Sequence, residues 1–114
     1  MLGLVLVTHA PLGDAIAQCV RHVMGSLPDG LAVVDVPGDE DIEQSVQRIQ
    51  AAARQVHAGD GVVFLTDLFG ATPSNAAVRA GVESLNLPTV LVSGCNLPMV
   101  LRALGFRDLP INEV

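Results

Sequence analysis

Three pieces of this chain have the residue types and placement to carry a phosphoryl group on a side chain: His9, Asp67 and the segment Gly70-Ala71-Thr72. A neutral imidazole offers one ring nitrogen as nucleophile, and its other N–H needs a fixed acceptor. A carboxylate on that N–H sets the tautomer, orients the ring and stabilises the positive charge that develops during attack. That task falls to Asp67, with His9 as the catalytic nucleophile. A phosphorylated ring then needs donors for its oxygens. The backbone N–H groups of Gly70, Ala71 and Thr72, at the positive end of a helix dipole, make such a site, and the Thr72 hydroxyl adds a donor. No Lys or Arg lies near these motifs in the sequence. A phosphoryl group held without a strong cation is held loosely enough to be passed on.

Taken singly, each piece has a plainer reading. A lone loop histidine is a capping or surface residue, Asp67 is a turn former or helix-start acid, and Thr72-Pro73 is a good helix start. Their common location carries the information, and it comes from the elements that position them. Residues 2–7 form an apolar run that reads as a buried strand, broken by Thr8-His9-Ala10-Pro11. A helix is expected over residues 11–24, with Leu12, Ile16, Cys19, Val20 and Val23 as its apolar stripe and Gly25 ending it. Strand two covers residues 31–36. Helix two begins near Asp39-Glu40-Asp41, acids suited to a positive dipole end, and runs on the stripe Ile42, Val46, Ile49, Ala53 and Val56. Strand three covers residues 61–66 and ends at Asp67. Helix three opens with Thr72 as N-cap and Pro73 at the first helical position. Strand four covers residues 88–92, and a short helix covers residues 98–104.

Strands that are nearly continuous apolar runs belong to parallel sheets covered on both faces. The fold class expected is therefore α/β: a doubly wound, mostly parallel four-stranded sheet with helices on both faces and strand order 2-1-3-4. That order sets the ends of strands one and three side by side at the switch point, where ligands of such sheets gather.

The bulk properties narrow the field. A chain of 114 residues suits one domain. Half the residues are hydrophobic and the mean hydropathy is +0.49, yet the apolar runs are strand-sized, short of the roughly 18 residues of a membrane span. No basic, apolar and small-residue leader pattern opens the chain, so a cytoplasmic location is expected. The net charge of −6 argues against nucleic acid or an anionic membrane as partner. With no Trp, no Tyr and three Phe, a base-stacking platform is unsupported. Cys19 and Cys95 lack CxxC spacing and are expected to be reduced. His22 and His57 read as solvated surface residues. No ligand spacing supports a metal, and no glycine-rich fingerprint supports a nucleotide cofactor.

The segments Val5-Leu6-Val7-Thr8-His9, Val36-Pro37-Gly38, residues 61–75 and Gly94-Cys95-Asn96-Leu97-Pro98-Met99 together resemble the enzyme IIA component of the mannose family of the bacterial phosphoenolpyruvate–sugar phosphotransferase system (PTS). The resemblance spans essentially the whole chain. It implies that His9 accepts a phosphoryl group from the phosphocarrier protein HPr and passes it to a histidine of a IIB component. It implies a phosphohistidine intermediate, a positioning role for Asp67, phosphoryl contacts from Gly70, Ala71 and Thr72, and no cofactor. Such components are typically homodimers in which a C-terminal strand crosses to the other subunit, and they meet the membrane only indirectly, through a IIC/IID complex. Two features depart from the pattern. Ala10-Pro11 follows His9 where the family usually has Gly, and the chain ends at Val114 where the family usually continues with a helix and the exchanged strand. The expectation is a single IIA-like domain over residues 1–114 without those elements. The same His9 chemistry also suits a regulatory phosphoprotein that moves no sugar, or the phosphotransfer subunit of a dihydroxyacetone kinase. A receiver domain would need acids at the end of strand one, where His9 stands.

Overall fold

A computed structural model describes residues 1–57, 59–68, 70–84 and 88–113. Phe69, part of the strand-three motif, lies outside them. Four strands, β1 (Gly3–His9), β2 (Leu31–Val36), β3 (Val62–Thr66) and β4 (Thr89–Ser93), form one parallel sheet of order β2-β1-β3-β4. Between and after them run α1 (Leu12–Met24), α2 (Ile42–Val56), α3 (Thr72–Ser84) and α4 (Leu97–Gly105), with a short 3-10 turn at Ile111–Glu113.

Side chains alternate across a strand, and here each face meets its own helices. Val5, Val7, Val34, Val36, Val62 and Phe64 join Val46, Ile49 and Ala53 of α2 and Ala76, Ala77 and Ala80 of α3 in one core. Leu4, Leu6, Leu31, Val63 and Leu65 join Ile16 and Val20 of α1 and Val100, Ala103 and Leu104 of α4 in the other. Each such buried Val, Leu or Phe contributes about 1.5–3 kcal/mol relative to its exposed state. With both faces covered, every β3 side chain is buried, which is why the strand alternates in direction but not in polarity. The anticipated fold class and strand order hold.

Besides one-residue shifts at the ends of β1, β3, β4 and α1, four details differ from the sequence expectation. β1 runs through Thr8 and His9, because parallel pairing with Asp35 and Val36 carries it two residues past Val7. The chain turns away only at Ala10-Pro11, whose peptide bond is cis. α1 buries Gly13, Ile16, Ala17 and Val20, whereas Leu12, Cys19 and Val23 are exposed. α2 starts at Ile42 with Asp41 before it, so Asp39 and Glu40 belong to the preceding loop. Ser45 Oγ donates to Glu40 Oε1 at 2.6 Å and Arg48 reaches both Glu40 oxygens and the Asp35 carbonyl, fastening that loop to α2. Finally, α4 begins one residue earlier than expected, since the Asn96 side chain accepts from Met99 N at 2.9 Å and caps it.

Candidate functional site

β1 and β3 are hydrogen-bonded neighbours with Val7 opposite Thr66, so His9 and Asp67 leave adjoining strands at the same carboxyl end. The chain departs from β1 toward β2 on one side and reaches β3 on the other, which opens a crevice between those two ends. There His9 Nδ1 lies 2.8 Å from Asp67 Oδ2, and the His9 backbone N–H donates to the same oxygen at 3.1 Å. One carboxylate oxygen thus holds both the ring and its backbone. With Asp67 as acceptor, the hydrogen-bond network assigns the proton to Nδ1 and leaves the lone pair on Nε2. The imidazole is half exposed, while Asp67 is largely buried.

Burial works to raise the pKa of Asp67. The hydrogen bonds from the His9 ring and backbone, and from its own backbone, outweigh it and hold the carboxyl below the ordinary aspartate value. Its second oxygen, Oδ1, and the neighbouring Thr66 Oγ1 are buried without a hydrogen-bond partner among the described residues. Burial first, and the negative charge of Asp67 second, push the Cys95 thiol up. Cys95 is therefore a protonated, buried neighbour of the site rather than a second nucleophile.

Gly70, Ala71 and Thr72 open α3 at this same edge. Gly70 has φ +83°, a left-handed conformation that only glycine adopts freely, and the turn closes with Ala71 N–H donating to the Leu68 carbonyl at 3.4 Å. The first helical bond runs from Asn75 N–H to the Ala71 carbonyl at 3.0 Å, and the Asn75 side chain holds the Gly70 carbonyl at 3.2 Å. Ala71, not Thr72, is therefore the capping position. Thr72 lies inside the helix as its first residue, exposed, and Pro73 follows it. The shift by one residue leaves the Thr72 and Ser74 N–H groups in the first turn, where no intrahelical acceptor exists for them. Among the described residues no hydrogen bond joins His9 to Gly70, Ala71 or Thr72.

His22 is exposed on α1, and His57 is half-buried at the end of α2, its Nδ1 accepting from Gly59 N–H at 3.2 Å. Among the described residues neither is hydrogen-bonded to His9 or Asp67. Among the described residues no cluster of His, Cys, Asp and Glu has the makings of a metal site.

Sequence reasoning passed over one group at this edge. Asp35 Oδ1 accepts from Thr8 Oγ1 at 2.7 Å and from Gly13 N–H at 2.8 Å, and Oδ2 accepts from Asp14 N–H at 3.0 Å. The signal was present: Asp35 is the one charged residue in the strand Leu-Ala-Val-Val-Asp-Val. A charge inside an otherwise apolar parallel strand needs partners that justify it.

The model of the family described as "PTS system fructose IIA component" matches residues 3–111 of this chain. The chain is 27% identical over 107 residues to the "PTS system mannose-specific EIIAB component" of Escherichia coli (strain K12), an alignment covering 94% of the chain and 32% of that protein. It is 27% identical over 108 residues to the "PTS system fructose-specific EIIA component" of Bacillus subtilis (strain 168), covering 95% and 72%. The chain thus spans about a third of the length of the EIIAB relatives it matches. In fold it is similar to a phosphotransferase system component EIIA from Streptococcus agalactiae, with TM-score 0.80, 22% identity, and coverage of 99% of this chain and 85% of that one. It is likewise similar to a mannose/sorbose specific IIA subunit from Enterococcus faecalis, with TM-score 0.81, 20% identity, and coverage of 97% and 81%.

Proposed function

This chain belongs to the EIIA-man family of PTS IIA components, and from that membership we propose that it is a phosphoryl carrier whose His9 Nε2 bears the phosphoryl group. The observation that carries this reading is the 2.8 Å contact between His9 Nδ1 and Asp67 Oδ2 beside the opening turn of α3. HPr is the donor. The lone pair of His9 Nε2 attacks phosphorus; the new N–P bond forms as the bond to the donor's histidine breaks, and the electron pair of that bond stays with the donor nitrogen. The His9 ring becomes cationic, keeps its Nδ1 proton, and is stabilised by the Asp67 carboxylate. The phosphoryl oxygens turn to the N–H groups at Gly70, Ala71 and Thr72 and to the positive end of α3. The same steps in reverse hand the group to a histidine of a IIB component.

No cofactor takes part. Contact with the membrane runs through the IIB component to a IIC/IID complex. The cytoplasm, where HPr acts, is the place of this exchange. A homodimer suits the open outer edge of β4, which among the described residues has no further strand beside it. The relatives' names attach mannose or fructose to them; a relay from protein to protein assigns no sugar here.

The test is transfer of labelled phosphate from phosphoenolpyruvate, through enzyme I and HPr, onto the wild-type chain and His9→Ala. Acid-labile label on the wild type alone supports the reading. Label on a folded His9→Ala variant, or none on a folded wild type, overturns it.

A further inference from the structure

We propose that Asp35 is a positioning residue that offsets the positive end of α1 and so keeps the phosphoryl group on His9 transferable; the proposal rests on the reading that His9 is the carrier. Two helix N-termini open at the carboxyl edge of the sheet next to His9. Among the described residues no hydrogen bond takes up the Thr72 or Ser74 N–H at the start of α3, while the Ala71 N–H turns back to the Leu68 carbonyl. α1 begins only three residues after His9 in the chain, with Ala10 and Pro11 between. Left open, it would be a second attractor for a dianionic phosphoryl group. It is not open: the Asp35 carboxylate takes the Gly13 and Asp14 N–H groups and, through Thr8 Oγ1, ties α1 to the strand residue next to His9.

The sequence makes room for this arrangement. A Cβ on Gly13 would stand 2.5 Å from Asp35 Oδ1 and 2.7 Å from Thr8 Oγ1, so any side chain there would expel the carboxylate. Asp35 is half-buried and its register partner is Thr8, so its charge is fixed one strand away from His9 rather than waving in solvent. A phosphoryl group on His9 therefore meets one unopposed helix terminus and one already neutralised by an anion. Phosphohistidine is stabilised less than two open termini would allow, and it is more readily given up.

The consequence has a sign that loss of structure does not share. Asp35→Asn keeps an acceptor for Thr8 and Gly13 but removes the charge. It should shift the phosphoryl equilibrium between phospho-HPr and this chain toward the phosphorylated chain by about two- to fivefold, the size of a helix-terminus charge effect. It should also slow loss of the group from isolated phospho-chain. A variant that merely loosens the His9 loop moves both rates down and does not favour the phosphorylated form. Asp35→Ser also removes the charge, with a hydroxyl too short to reach Gly13 and Asp14, and should shift the equilibrium in the same direction. Thr8→Val removes the hydroxyl bond and keeps the charge, so its equilibrium should stay within about twofold of wild type.

The experiment measures the partition of label between HPr and each chain at equilibrium, with circular dichroism to establish folding. A shift toward the phosphorylated chain in the charge-free variants, absent in Thr8→Val, supports the proposal. An unchanged or reversed equilibrium in a folded charge-free variant overturns it while leaving the carrier reading intact, because the wild type still takes label. If neither Asp35→Asn nor Asp35→Ser folds, Asp35 serves stability and the proposal falls. A folded wild type that takes no label fails the carrier reading itself, and this proposal with it.

Discussion

At the scale of single residues, the pairing of His9 with Asp67 sets the two sharpest expectations. Asp67→Asn retains a carbonyl oxygen that accepts the Nδ1 proton, so the ring keeps its orientation while the charge opposing the imidazolium is lost. Transfer from phospho-HPr should slow by at least about tenfold, short of the ~10⁴ loss seen where such a carboxylate is essential to a catalytic histidine. The melting temperature near neutral pH should fall modestly, by the stability that the depressed carboxyl contributes there. Rapid-quench transfer rates check the first statement; equal rates in the two proteins would remove Asp67 from the mechanism. The second expectation concerns acid. The Asp67 carboxyl is held below the ordinary aspartate value of 3.8 in the fold. A depressed carboxyl contributes stability that is fully present above 3.8 and is lost as pH falls through its lower folded value. Melts taken from about pH 5 down to about pH 2 should show wild type losing a component of stability that Asp67→Asn lacks. Parallel acid curves for the two would show that the His9 hydrogen bonds do not hold the carboxyl down.

At the scale of elements, the turn into α3 is the piece most open to a single change. Gly70 at φ +83° has open space where a Cβ would sit, so Gly70→Ala is opposed by backbone conformation and not by contact. The left-handed conformation costs an L-residue about 1–2 kcal/mol. The variant should melt lower and should also transfer more slowly, because the turn that aims the α3 N–H groups relaxes with it. A lower melting temperature with an unchanged transfer rate would mean that this turn takes no part in binding the phosphoryl group. The elements also mark where sequence was informative and where it was not. Spacing alone placed α2, whose stripe Val46, Ile49, Ala53 and Val56 is buried as read. It misassigned the face of α1, because counting apolar side chains gives weight to Leu12, Cys19 and Val23 and none to Gly13. The buried line of that helix runs through Gly13 and Ala17, small residues that let the backbone approach Thr8 and Asp35. Residue order likewise made Thr72 a cap, while the bond from Asn75 to the Ala71 carbonyl, invisible in composition, moved the helix start by one residue.

At the scale of the whole molecule, topology was legible because four apolar runs separated by amphipathic stretches leave few ways to cover a parallel sheet, and the switch point then fixes the edge where His9 and Asp67 meet. The same topology gathers charge. All four strands are parallel, so the loop after β2 opens on the His9 edge, and it carries exposed Asp39 and Asp41 and, just inside α2, exposed Glu43. The nearby cations are committed: Arg48 pairs with Glu40 and Arg79 with Glu43. With a net charge of −6, the chain thus presents an acidic flank to whatever docks over His9. Phosphorylation would add about −1.5 to −2 more. A donor with a basic docking face is drawn to the unphosphorylated chain and released more readily from the phosphorylated one, which suits a relay. Charge steering acts on the association rate and is screened beyond about 10 Å at 0.1 M salt. The apparent second-order rate of transfer from phospho-HPr should therefore fall about tenfold or more between low and 0.5 M salt. Asp39→Asn with Asp41→Asn should lower that rate at low salt and flatten its salt dependence, with single-turnover transfer at saturating donor unchanged, since neither residue touches the reacting atoms. A rate independent of ionic strength, or a double variant indistinguishable from wild type at low salt, would mean that docking is governed by the apolar surroundings of His9, where Leu12 and Leu68 are exposed, and not by the acidic flank.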